Sequence, residues 1–171
     1  MSQAPNETPS DKSSDDTMQT IMAALQSSYG SLDDPNFHAI NAAFLGGVHQ
    51  HLIDTLRAKC SEVIETTDQN DDVSRQLVLS QDGVDVALGL SAVGPFATLH
   101  YLDTNGRSCW VDRQDDAPTP LAALVASAVE GAGLRLLDRD TVSWTIRMRQ
   151  PDGTSTATLY QALFTDTDRV P

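Results

Sequence analysis

Residues 75–113, RQLVLSQDGVDVALGLSAVGPFATLHYLDTNGRSCWVDR, decide the fold. Arg75–Gln81 and Val84–Ala92 flank Asp82-Gly83, and Phe96–Asp103 and Arg107–Arg113 flank Asn105-Gly106. Asp-Gly and Asn-Gly tolerate positive φ at both central positions of a two-residue loop, so the stretch predicts a four-strand antiparallel meander. Pairing across Asp82-Gly83 sets Leu79 opposite Val86 and Leu77 opposite Leu88, which makes one face Leu and Val throughout. The other face offers Val78, Ser80, Asp85, Ala87, Gly89 and Ser91. Side chains this short leave either a solvent face or a flat surface that something else can approach closely.

The second hairpin is apolar on two sides. A two-residue loop at Asn105-Gly106 places His100, Leu102, Cys109 and Val111 on one face, and Leu99, Tyr101 and Trp110 with Asp112 on the other. Only one face can meet the core of the first hairpin. The other requires cover from a helix, a terminal segment or another chain. Leu99, Tyr101 and Trp110 are therefore expected to contact a partner, since aromatics dominate desolvated contacts.

Outward from the meander, Asp152-Gly153 predicts a third hairpin of Thr141–Gln150 against Thr154–Leu163. Val142, Trp144, Ile146 and Met148 then point with Leu163, Gln161, Leu159 and Ala157, and Arg147 and Arg149 project from the outer face. Between the hairpins, Thr119-Pro120 opens a helix, LAALVASAVEGAG, with Leu121, Leu124, Val125 and Ala128 as its stripe. Glu130 is its only charge, and a helix this neutral is commonly buried on more than one side. Dimerisation through helix 120–131 is the corresponding expectation.

Toward the N-terminus, residues 1–16 are polar and acidic and are expected to be a disordered tail. Thr17–Ser28 carries Met18, Ile21, Met22 and Leu25 at helical spacing behind an Asp15-Asp16-Thr17 cap, and Gly30 ends it. Asp34-Pro35 restarts a helix expected to reach about Thr66, interrupted by Gly46-Gly47. The fold class is α+β: an antiparallel sheet of a four-strand meander plus a C-terminal hairpin. N-terminal helices and one internal helix pack on it, in a single domain over residues 17–171.

The formal charge is −13 and the isoelectric point about 4.3, which disfavours nucleic acid and anionic membranes and suits a basic or neutral partner. Residues 1–72 hold 12 acids against 3 bases and residues 73–171 hold 12 against 8, so the acidity leans to the N-terminal part. Nine of the eleven basic residues are Arg, which fits a high-GC bacterial genome as well as a binding role. Two cysteines, no charged-then-apolar leader and no apolar run longer than Leu121–Ala126 predict a protein of the reducing cytoplasm, outside the membrane.

No cofactor or metal is expected. His38, His49 and Cys60 recur every eleven residues, but ligands about 16 Å apart along one helix cannot share an ion. An EF-hand loop begun at Asp68 needs Gly at its sixth position and Glu at its twelfth, where Val73 and Leu79 stand. The glycines at 83, 94, 106 and 153 belong to turns, not to a phosphate loop. His100 and Cys109 lie diagonally in the expected register, within reach of a thiol–imidazole pair, but no orienting group or oxyanion hole accompanies them. Arg147 and Arg149 suit an anion or acidic peptide, or ion pairs with the chain's own Asp residues.

The order of helices, strand meander, helix and terminal hairpin resembles the fold of class I type III secretion chaperones, over about residues 35–163. These too are small, acidic and cytosolic, and the resemblance implies a dimer and a chaperone role. The expected function is a non-enzymatic acidic protein-interaction module, chaperone-like or adaptor-like, that covers an extended or basic segment of a partner protein. One alternative is an immunity or inhibitor protein neutralising a basic toxin. The other is a small hydrolase or transferase using Cys109 and His100.

Overall fold

The computed structural model describes residues 9–68, 70–102, 107–150 and 152–165. The first hairpin forms as its turn chemistry dictates. Strands β2 (Ser74–Gln81) and β3 (Val84–Ser91) pair antiparallel with Leu77 opposite Leu88 and Leu79 opposite Val86. Asp82 and Gly83 take φ of 53° and 77°, as a two-residue loop of this hand requires. The architecture is α+β. Strands β1 (Glu62–Glu65), β2, β3, β4 (Phe96–Leu102) and β5 (Ser108–Trp110) lie side by side in sequence order, and β6 (Arg135–Leu136) joins the sheet parallel to β4. A separate two-stranded ladder, β7 (Thr145–Arg147) and β8 (Thr156–Thr158), completes the strands.

Two apolar cores lie on the two faces of the sheet. Leu77, Leu79, Val86, Leu88, Leu90 and Leu99 meet Leu52, Ile53 and Leu56 of α3 (Gln50–Lys59) and Leu121, Val125 and Val129 of α4 (Pro120–Gly131). Thr119 caps α4, its side chain accepting from the Ala122 N–H, with Pro120 in the first turn. The second core gathers Phe96 with Ile21, Leu25 and Tyr29 of α1 (Pro9–Tyr29), Met148, and Leu159, Tyr160, Leu163 and Phe164 at the C-terminal end.

Several expectations are corrected. Helix α1 begins at Pro9, so the Asp15-Asp16-Thr17 cap falls inside a helix and residues 9–16 of the expected tail are helical; residues 1–8 lie outside the described residues. The second helix does not run from Asp34 to Thr66. It starts at His38 (α2, His38–Leu45), breaks at Gly46-Gly47 and resumes as α3, with His49 left-handed at φ 62°. It ends at Lys59, and Glu62–Glu65 form β1, the edge strand paired with β2. Val63 lies in helical phase with Leu45, Val48, Leu52 and Leu56, but the β2 backbone offers it a ladder, opposite Leu79.

The Asn105-Gly106 loop lies outside the described residues, and the register of the strands around it differs from the expected one by one residue. His100 pairs with Trp110, and Tyr101 with Cys109 of β5 (Ser108–Trp110). A one-residue slip moves every side chain to the other face. Here it buries Val111 completely in the first core, with its N–H donating to the Leu99 carbonyl at 2.9 Å. It also carries Trp110 to the second core.

The third hairpin is shorter than expected. Ile146 pairs with Ala157, a shift of two residues, which preserves the faces. Its outer ends become helices because their caps compete with the ladder. Asp138 caps α5 (Arg139–Val142), accepting from the Thr141 N–H at 2.6 Å. Thr158 and Gln161 form a reciprocal capping box on α6 (Leu159–Leu163). Tyr160 is buried, and Trp144, expected inside, is 42% exposed.

Candidate functional site

The residues expected to meet a partner are dispersed. Leu99 is fully buried in the first core, which removes it from any surface. Tyr101 is half-buried against that same core, and not on the face that holds Trp110. Trp110 stacks on His100 at 5.6 Å between ring centroids and takes the edge of Tyr160 at 6.3 Å. The cover that the two-sided hairpin demanded is therefore supplied by the chain's own α6. Arg147 and Arg149 are exposed, and Arg147 forms a surface ion pair with Asp33 at 3.3 Å.

The small-residued face has the same explanation over half its extent. Gly89 lies so close beneath Phe164 that a Cβ there would meet Phe164 Cδ1 at 3.2 Å and Thr98 Oγ1 at 2.7 Å. Ser74 Oγ donates to the Phe164 carbonyl and Ser91 Oγ to the Leu163 carbonyl, each at 2.7 Å. Short side chains admit backbone where a Leu would exclude it.

His100 and Cys109 cannot form a dyad, because the register puts them on opposite faces of the sheet. Burial pushes the His100 pKa down, and its Nδ1 has no hydrogen-bond partner among the described residues. His49 Nε2 donates to the Ser91 carbonyl at 2.7 Å; burial lowers its pKa against that bond, and Arg75 adds to the lowering. Among the described residues no group of three His, Cys, Asp or Glu side chains is arranged to hold a metal ion. No described helix is long and apolar enough to cross a membrane.

Sequence reasoning passed over Arg75. It is 9% exposed at the end of the Leu/Val face, and its guanidinium grips both Glu65 oxygens at 2.8 and 2.7 Å. The remaining nitrogen donates to Gln50 Oε1 at 2.8 Å and to the Val48 carbonyl at 3.1 Å, tying the α2–α3 break to the sheet. The signal was present: an Arg two residues before Leu77 occupies the buried phase of the alternation.

Also missed was a groove of about 840 Å³ where α1, the segment before α4, β6 and α5 converge. Met18, Leu136, Leu137 and Trp144 supply its apolar surface. Asp112, Asp116, Glu130 and Asp138 face only Arg113 and Arg135 among its charged lining residues, so its sign is negative. Burial raises the Asp112 carboxyl above the usual aspartate range, with Asp138, Asp116 and Asp140 raising it further against the nearby Arg113. A net-negative set of charges beside an exposed indole favours a cationic, partly apolar guest. No local motif announces the groove, because its residues come from four separate segments. Comparison with protein-family models, curated proteins and solved structures found no match to this chain.

Proposed function

We propose that this chain is a non-enzymatic acidic interaction module, chaperone-like or adaptor-like, and that the groove beside Trp144 holds a basic or apolar segment of a partner protein. The observation that carries this reading is Trp144, 42% exposed in a groove whose carboxylates outnumber its guanidinium groups. Trp is enriched among the few residues that dominate interface energetics. The helix–meander–helix–hairpin order resembling secretion chaperones supports the same reading, as do the free cysteines Cys60 and Cys109, which suit the cytoplasm.

The test is a titration with an extended Lys- and Leu-containing peptide in a Trp110→Phe background, so that Trp144 reports. Saturable quenching is expected. Trp144→Ala, followed by calorimetry because it removes the reporting indole, should weaken binding by about 2 kcal/mol, as loss of a hot-spot indole does. The Asp112→Asn/Asp116→Asn pair should weaken it at least tenfold. Affinity should also fall as pH drops through the raised Asp112 titration, since protonation removes the attracting charge. Full affinity in both variants overturns the reading.

The inhibitor alternative draws on the same mutually repelling carboxylates. It is distinguished by a steep salt dependence of the association rate, where a chaperone holding an extended segment is less sensitive. A homodimer through α4 is the remaining part of the proposal. Half-buried Leu124 and Ala128 line a shallow groove of about 390 Å³ with His51 and Thr55 of α3, and light scattering would find a strict monomer if this is wrong.

A further inference from the structure

A second cavity, sharing no lining residue with the acidic groove, opens beneath α2 with a volume of about 340 Å³. Its floor is apolar and rigidly held: Tyr29, Ile40, Val73 and Met148 are all buried, and the Tyr29 hydroxyl is fixed by donation to the Ala162 carbonyl at 2.7 Å. Phe37, 39% exposed, stands edge-on to Tyr29 at 5.4 Å and extends this apolar wall to the mouth. The charged lining comes from two separate segments, Asp71 and Asp72 on the loop before β2 and Arg149 after β7.

These charges are not spent on one another. Among the described residues Arg147 pairs with Asp33, whereas the Arg149 guanidinium has no ion pair and Asp71 and Asp72 have none either. The Arg149 backbone N–H donates to the Leu32 carbonyl at 2.8 Å, which anchors this exposed residue in the cavity lining. Asp72 spends one oxygen on the Asp68 N–H at 2.8 Å. A guanidinium fork suits a carboxylate, and a pair of carboxylates suits an ammonium. A phosphate-bearing ligand is disfavoured, since one Arg must compete with two adjacent carboxylates. A divalent cation is disfavoured by that Arg. The volume is at the small end of ligand pockets, about 300–1,000 Å³, which limits the guest to a few heavy atoms beyond its two charges.

We propose that this cavity binds a free α-amino acid with an apolar side chain, its carboxylate on Arg149, its ammonium on Asp71 and Asp72, and its side chain against Tyr29, Ile40 and Met148. The inference is independent of the partner groove.

The experiment is calorimetric titration of the full chain with L-leucine and L-phenylalanine, alongside N-acetyl-L-leucine and L-leucinamide, which each lack one charge. Saturable binding is expected at or below about 1 mM for at least one of the two amino acids. Each charge-deleted probe should bind at least tenfold more weakly. Arg149→Gln should weaken L-leucine at least tenfold while leaving the residual affinity of L-leucinamide unchanged, and Asp71→Asn should weaken L-leucine while sparing N-acetyl-L-leucine. Both substitutions are at exposed positions, so an unchanged melting temperature confirms that the fold is retained. No saturation by either amino acid at about 10 mM, ten times that limit, overturns the proposal. So does undiminished L-leucine binding by Arg149→Gln, or amide shifts induced by L-leucine away from Tyr29, Ile40 and Met148.

Discussion

One face of the central sheet is closed by large side chains meeting large side chains, and the other by small side chains that let a backbone segment come down on them. On the first face Leu77, Leu79, Leu88 and Leu99 meet α3 and α4 through side-chain bulk. On the second, Ser74, Gly89, Ser91 and Thr98 present little volume, and the C-terminal Leu163 and Phe164 fill the space and receive hydroxyl hydrogen bonds at their carbonyls. The first mode writes itself into the sequence as alternation. The second reads as a bare surface, because a small residue does not say whether water or chain lies on it.

The comparison breaks first at Phe164. It is fully buried over the small-residued face, so Phe164→Ala should cost about 3–5 kcal/mol in denaturant unfolding, as large as truncating a Leu of the first core. A loss below about 1 kcal/mol would mean that the second face is only lightly covered. Gly89→Ala is the next test. Its new methyl would press on Thr98 Oγ1 and the Phe164 ring, and overpacking of this kind costs about 1–3 kcal/mol. In a Phe164→Ala background much of that cost should vanish, and a double-mutant cycle measures the coupling.

The smallest expected effect concerns the polar end of the first face. The Arg75 hydrogen bonds hold the Glu65 carboxyl below the ordinary glutamate range despite some burial, and the Arg75 charge and Thr67 add to the lowering. A depressed folded pKa contributes stability above the unfolded value, and that contribution is lost as pH falls through the folded one. Glu65→Gln should therefore flatten the acid limb of a stability–pH profile and cost about 0.5–1 kcal/mol at neutral pH, reduced because the carboxylate is partly wet. An unchanged acid limb would show that the pair contributes no pH dependence.

The groove at Trp144 was less legible than the first core. Met18, Asp112, Leu136 and Trp144 are scattered along the chain, and each alone is unremarkable. Trp110 was legible as a residue needing cover, and its cover, Tyr160, was not. The Thr158-Leu159-Tyr160-Gln161 pattern does carry a capping signal, but strand alternation through the same residues pointed to a hairpin. The helix expected through Val63 failed for a related reason: four residues fit two periods, and the β2 ladder decided between them.

By itself the sequence determined whatever depends on neighbours along the chain. Asp82-Gly83 fixed a turn, that turn fixed a register, and the register fixed which Leu and Val residues share a face. Thr119-Pro120 likewise fixed where α4 begins. Only the tertiary structure decided what lies on each face, which way the His100–Trp110 pair turns, and which distant carboxylates share a groove. Local φ and ψ preferences act over a few residues, whereas burial is settled by surfaces far apart in sequence competing for the same partner.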